Sequence, residues 1–277
     1  MTSNQLIIFS DMDGSLLDHE SYSHEDADEC LDWLRSKQIP VIPCTSKTRA
    51  EMEVLRTSIS NSHPFIVENG AAVCIPKEYF THLDNSLAEN GSYLIKHFAE
   101  TRAYWQDVLE NVPMHLNDAF LTFEQAGIDG IMQMTGLAIN EARLASQREF
   151  GEPLKWLGNE QQFQQFEEYV ISQHGKLLKG GRFVHLSGDC DKGHAMNWLI
   201  ENYRQASPGI NFISIALGDS QNDVAMLSVA DYAIMIRSPV HDFPVMECKM
   251  EQQPYRTQQY GPKGWVEGIE YVLGQLN

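Results

Sequence analysis

Short apolar runs, each stopped by polar and small residues, recur towards both ends of the chain. Leu6-Ile7-Ile8-Phe9, Ile39-Pro40-Val41-Ile42-Pro43-Cys44, Phe65-Ile66-Val67 and Phe212-Ile213-Ser214-Ile215-Ala216-Leu217 are continuous rather than alternating, as buried strands are. Between the first two, Ala27, Cys30, Leu31 and Leu34 recur at helical spacing and predict a helix over about 26–37. Phe65-Ile66-Val67 and Ala71-Ala72-Val73-Cys74-Ile75-Pro76 predict a strand and hairpin. The first 80 or so residues therefore read β-α-β-α-β, the pattern of a parallel sheet.

The pattern then changes. Leu94, Ile95, Phe98, Trp105, Val108, Leu109 and Val112 predict a long amphipathic helix over about 93–111, and Phe163, Phe166, Tyr169, Val170 and Ile171 a second over about 161–174. Short helical pieces are expected near 119–123 and 140–147, and short strands at 153–156 and 176–179. From Phe183 the β-α alternation resumes. The expected architecture is α/β, a doubly wound, mostly parallel sheet built from residues 1–81 and 183–277, with an α+β insertion at 82–182.

Composition narrows the function classes. At 277 residues and 43% hydrophobic, the chain has material for two cores. Its formal charge of −18 argues against nucleic acid and anionic membranes as partners. It does not exclude an anionic small-molecule substrate, because a few cations and a metal ion reverse the field inside one cleft. Cysteines at 30, 44, 74, 190 and 248 show no CxxC spacing, and a reducing cytoplasm is the expected setting. No basic, apolar leader is expected at Met1-Thr2-Ser3-Asn4-Gln5, and no apolar run nears the ~20 residues of a membrane span.

Candidate chemistry sits at the ends of the strands. Asp11-Met12-Asp13-Gly14 follows the first run: paired carboxylates with a tight turn suit a hard cation, and a carboxylate can attack phosphorus to give an aspartyl-phosphate. An Asx turn would need the same residues. Gly218-Asp219-Ser220-Gln221-Asn222-Asp223 follows the last run. Asp223 there serves equally as a helix-start acid or in metal work. Asp191-Lys192-Gly193 opens a helix with a lysine that opposes the dipole unless an anion waits there. Thr45-Ser46-Lys47-Thr48 offers hydroxyls and helix-start amides to a phosphate, or simply caps a helix. In open α/β sheets all four segments would meet outside the carboxyl ends of the strands.

On these motifs, taken in order, the chain resembles the haloacid dehalogenase superfamily phosphatases. Phe65-Ile66-Val67-Glu68-Asn69-Gly70-Ala71 resembles the members with a large cap inserted between the second and third motifs. Thr45-Ser46-Lys47-Thr48, Arg148-Glu149-Phe150-Gly151-Glu152-Pro153 and Gly180-Gly181-Arg182-Phe183-Val184-His185-Leu186 are similar to the mannosyl-3-phosphoglycerate phosphatase family within it, with Gly151 where that family more often has serine. The resemblance implies a Mg²⁺-dependent phosphomonoesterase. Asp11 would be its nucleophile and Asp13 its acid and base. Asp11, Asp219 and the Asp13 carbonyl would hold the metal, supported by Asn222 and Asp223. Thr45, Ser46 and Lys192 would hold phosphoryl oxygens. Lys47, Arg143, Arg148, Glu149 and Arg182 would read the rest of a phosphorylated sugar–glycerate substrate, arginine being suited to its carboxylate. Alternatives are glucosyl-3-phosphoglycerate, sucrose phosphate, or a non-enzymatic regulator on the same fold.

Overall fold

In the computed structural model, which describes residues 3–81, 87–179, 183–246 and 253–276, the apolar runs become the strands of a parallel sheet. In chain order the elements are β1 (Ser3–Ser10), α1 (Asp28–Ser36), β2 (Val41–Pro43), α2 (Arg49–Ser58), β3 (Phe65–Val67), β4 (Ala72–Pro76), β5 (Ala88–Asn90) and β6 (Tyr93–His97). There follow α3 (Arg102–Glu110), β7 (Phe120–Thr122), α4 (Phe123–Thr135), α5 (Ile139–Ala145), β8 (Glu152–Trp156), α6 (Glu160–Ser172), β9 (Lys176–Lys179) and β10 (Val184–Ser187). The chain ends with α7 (Lys192–Ala206), β11 (Ile210–Gly218), α8 (Val224–Val229), β12 (Tyr232–Arg237), β13 (Tyr255–Tyr260) and α9 (Gly261–Leu276).

Two compact units result. The first comprises residues 1–46, 56–96 and 191–277, the second residues 47–55 and 97–190. In the first unit the sheet order is β13-β12-β11-β1-β2, and every pairing in it is parallel. From β1 the chain moves outward to β2, then returns to β11 and moves outward the other way. The order therefore reverses between β1 and β11, the switch point at which open α/β sheets bind ligands. Ile7, Ile8 and Phe9 of β1 and Ile215, Ala216 and Leu217 of β11 are all buried, which is why these strands carry no polar alternation. A second sheet of this unit has the order β3-β4-β6-β5.

The second unit holds the antiparallel sheet β7-β8-β10-β9. Its core gathers Trp105, Val108 and Leu109 of α3, Phe163, Phe166 and Val170 of α6, and Leu154, Val184 and Leu186 of the sheet. Thr122 and Asn159 cap α4 and α6 through capping boxes with Gln125 and Gln162.

Three expectations are corrected here. The helix expected over 93–111 is a strand, β6, followed by the shorter α3; Leu94 and Ile95 pair with Glu89 and Ala88 of β5 instead of joining the helical stripe. The helical piece expected at 119–123 is strand β7, whose apolar Phe120 and Leu121 were too few to set a period. Val184–Ser187, expected to reopen the core, forms β10 between β8 and β9 in the antiparallel sheet. Val184 and Leu186 alternate with half-buried His185 and Ser187, a period-2 signal overlooked beside the longer runs. Among the described residues no helix is long and apolar enough to cross a membrane.

Candidate active site

The first site residue follows directly from the register of the sheet. Asp11 leaves the carboxyl end of β1, and its N–H donates to the Leu217 carbonyl of β11 at 2.8 Å. Below it, buried Ser10 Oγ accepts from Trp265 Nε1 at 2.8 Å and donates to the Asp11 carbonyl at 2.6 Å. The turn then tightens through Ser15 N–H to the Met12 carbonyl, with Gly14 at φ 77°. A Cβ on Gly14 would lie 2.7 Å from Asp219 Oδ2. Glycine is required there on both counts, and its absence of side chain lets the two strand ends close together.

Asp219 leaves β11 next door. Asp223, one short turn on, folds back so that its Oδ2 accepts from the N–H groups of Asp219 (3.1 Å) and Ser220 (3.0 Å). Gly218 makes room, since a Cβ there would meet the Asp223 side chain at 2.5 Å. Asp191 caps α7 by accepting from His194 N–H at 2.8 Å. The next residue, Lys192, is fully buried. Its Nζ donates to Asp11 Oδ1 and Asp223 Oδ1, each at 2.6 Å. That explains a lysine at a helix start: its charge is answered by carboxylates, not left facing the dipole.

The electrostatics of the cluster are unbalanced. Asp11, Asp219 and Asp223 are all buried and offer oxygens within 4.8 Å of one another, against one lysine. Burial, with Asp223 and Asp219 alongside, pushes the Asp11 carboxyl well above its usual range despite the opposing pull of Lys192. Burial and Asp223 push Asp219 up to about 7. Burial pulls Lys192 down, but Asp11 and Asp223 prevail and hold it above its ordinary value. Three hard oxygen donors with excess negative charge fit a Mg²⁺-type cation.

The second motif is held by its backbone. Thr45 is buried, its N–H donating to the Ile66 carbonyl at 3.0 Å and its carbonyl accepting from Asn69 N–H at 2.9 Å. Ser46 and Lys47 are half-buried. Thr48 is the helix cap: its Oγ1 accepts from Glu51 N–H while Glu51 accepts from Thr48 N–H. Glu68, Asn69 and Gly70 take successive positive φ values of 48°, 60° and 93°. This turn presents Asn69 Oδ1 to Asn222 Nδ2 at 3.0 Å, which ties the fourth motif to the second.

In the second unit Arg143 is exposed and Arg148 half-buried. Glu149 Oε1 accepts from Arg49 Nε at 3.1 Å and Nη2 at 2.6 Å. Arg182 lies outside the described residues. Asp13 is not in the carboxylate cluster. Three residues were missed in the sequence: Asn69, Arg49 and His241, whose Nε2 lies 3.3 Å from Asp219 Oδ2. Asn69 had a signal in the Asn-Gly turn after a strand. Arg49 and His241 had none, because their partners are 100 and 22 positions away.

A family model described as haloacid dehalogenase-like hydrolase matches residues 8–240. A glucosyl-3-phosphoglycerate/mannosyl-3-phosphoglycerate phosphatase of Methanococcoides burtonii is 36% identical over 273 residues, 98% of each chain. One of the same name from Persephonella marina is 34% identical over 278 residues, again 98% of each. Among solved structures, a haloacid dehalogenase-like hydrolase from B. subtilis superposes with a TM-score of 0.63 at 15% identity, covering 98% of this chain and 99% of that one. The sucrose-phosphatase of Synechocystis sp. PCC6803 gives 0.61 at 14% identity, covering 97% and 98%. Strand-end carboxylates, a buried motif lysine and near full-length kinship with curated phosphatases together place this chain among the phosphatases of the haloacid dehalogenase-like hydrolase family.

Proposed function

We propose that the chain hydrolyses the phosphomonoester of mannosyl-3-phosphoglycerate or its glucosyl analogue, with Mg²⁺ as cofactor. The observation that carries the reading is the buried Asp11–Lys192–Asp223 chain beside Asp219, at the sheet's switch point. The substrate follows the names of the two relatives, which include both hexoses; sucrose phosphate is supported by fold likeness alone.

Asp11 attacks phosphorus in line, forming the aspartyl-phosphate, and the ester oxygen leaves with a proton from Asp13. Asp13 then takes a proton from water as the water attacks the phosphoryl group, which restores Asp11 and releases phosphate. Lys192 orients Asp11 and opposes the burial that disfavours its charged form, and with the Thr45 and Ser46 hydroxyls it answers charge on the phosphoryl oxygens. Asp11, Asp219 and the Asp13 carbonyl would hold Mg²⁺, which supplies charge neutralisation for the transferring group. Asp223, fixed by two N–H donors, positions Lys192, and Asn222 fixes the loop. Lys47, Arg143, Arg148, Glu149 and Arg182 are assigned to the part of the substrate that does not react.

A phosphate-release panel tests this reading. Turnover of both glycosyl-3-phosphoglycerates should exceed that of sucrose phosphate, should vanish in EDTA and should return with Mg²⁺. Full turnover by chelator-treated enzyme shown by metal analysis to be metal-free would refute the cofactor. For the substrate, Arg148→Ala should lower kcat/KM on mannosyl-3-phosphoglycerate by roughly tenfold or more, a charge-assisted hydrogen bond being worth about 1.5–3 kcal/mol. It should leave p-nitrophenyl phosphate, which has no carboxylate, nearly unchanged. Equal losses on both substrates would mean the arginine serves the fold.

A further inference from the structure

Beyond β12 and β13 the first unit carries a cavity of about 680 Å³ that the hydrolytic chemistry does not use. Arg237 and Arg256 both line it, one from each of these neighbouring strands. Neither has a carboxylate within ion-pair distance among the described residues, although the chain holds 38 acidic against 20 basic residues. Each guanidinium is instead braced on a ring that also lines the cavity. Arg237 Cζ lies 5.1 Å from the centre of Tyr260, and Arg256 Cζ 5.4 Å from the centre of Phe243. Stacking of this kind fixes the planar fork while leaving its N–H donors to face outward. Among its described lining residues the cavity holds one carboxylate, Asp242, against these two guanidiniums, so an anion shared between them would offset their remaining repulsion.

Asp219 does not itself line the cavity, but one lining residue lies against it. His241 lines it, and the same ring's Nε2 lies 3.3 Å from Asp219 Oδ2. His241 Nδ1 is within 3.0 Å of the Asp242 carbonyl, which fixes the ring's orientation. Whatever settles against the Ser238–Phe243 loop therefore bears on the residue that positions Asp219.

We propose that this cavity is a second anion site, taking a small phosphate-bearing molecule between Arg237 and Arg256, and that its occupancy is felt at Asp219 through His241. A volume of this size holds more than a bare oxyanion, so inorganic phosphate and a phosphorylated metabolite share the recognising chemistry. The proposal adds to the reading of the site as a phosphatase without depending on its substrate, because binding is measured separately from turnover.

The test uses the full-length protein with Mg²⁺ and inorganic phosphate as probe. Calorimetric titration should count two phosphates per chain in the wild type and one in the Arg237→Gln/Arg256→Gln double variant. Arg237 and Arg256 take no part in the proposed chemistry, so p-nitrophenyl phosphate turnover in phosphate-free buffer should stay within about twofold of wild type. Phosphate should inhibit the wild type by a mixed pattern and the double variant competitively. Repeating the titration with 3-phosphoglycerate separates the sources: tighter filling of the second site by it favours a metabolite, equal or weaker filling favours free phosphate. Val240→Glu, at an exposed position on the rim, should abolish the second event without touching either arginine, which covers a double variant that folds poorly. A single phosphate per wild-type chain, or two in both the double variant and Val240→Glu, overturns the proposal.

Discussion

Replacing Asp11 by asparagine is expected to lower turnover by roughly a thousandfold or more while the protein stays folded, because an amide neither attacks phosphorus nor binds a cation as a carboxylate does. The surviving fold follows from the same geometry. Asp11 is buried, and burial with Asp223 and Asp219 alongside disfavours its charged form. A neutral amide of equal size avoids that cost. Lys192 loses one anionic partner, but the amide oxygen still accepts and Asp223 stays at 2.6 Å. The melting temperature should therefore move by only a few degrees, and a phosphate-release assay with thermal melting checks both halves. Activity within tenfold of wild type would remove Asp11 from the role of nucleophile.

The legible part of the molecule was the part whose signals are local. β1, β11 and the turn after each could be read because a buried parallel strand is a continuous apolar run, and because Asp11, Asp13, Gly14 and Asp219 sit within a few residues of its end. Lys192 stood out because a lysine at a helix start is anomalous until its anions are found. What escaped was non-local. β6 and β7 take their identity from pairing with β5 and β8, and the half-apolar stretch around Leu94 fits either period until its neighbours are known. β10 fits the resumed alternation along the chain, but its partners β8 and β9 lie on both sides of it in the second unit. Arg49–Glu149 and His241–Asp219 join positions with no shared pattern. The chemistry was thus more legible than the fold around it: charge crowding is written in residue types, whereas strand partners are chosen in three dimensions.

Lys192→Met should have the largest combined effect on activity and stability. The ammonium is fully buried and holds two carboxylates at 2.6 Å. Methionine keeps most of the volume and removes the charge, leaving Asp11 and Asp223 without their shared cation. Breaking a buried pair from one side costs on the order of 3–5 kcal/mol, which at about 2–4 °C per kcal/mol is a melting temperature lower by roughly 6–20 °C. Turnover should fall by about a hundredfold to a thousandfold or more. The stability gap should also depend on pH, with a definite sign. In the wild type the neighbouring carboxylates hold Lys192 above its ordinary value, so its contribution is constant below pH 9. In the variant Asp11 loses the pull of Lys192 that opposes its rise, so its carboxyl is held higher still. An acid whose folded pKa is raised stabilises the native state less as pH climbs from its unfolded value through its folded one. The gap between wild type and variant should therefore be small near pH 5.5 and large near pH 8.5, measured by thermal melting in metal-free buffer. A gap that stays level, or narrows as pH rises, would mean that Lys192 supports the fold by packing and not by neutralising Asp11 and Asp223.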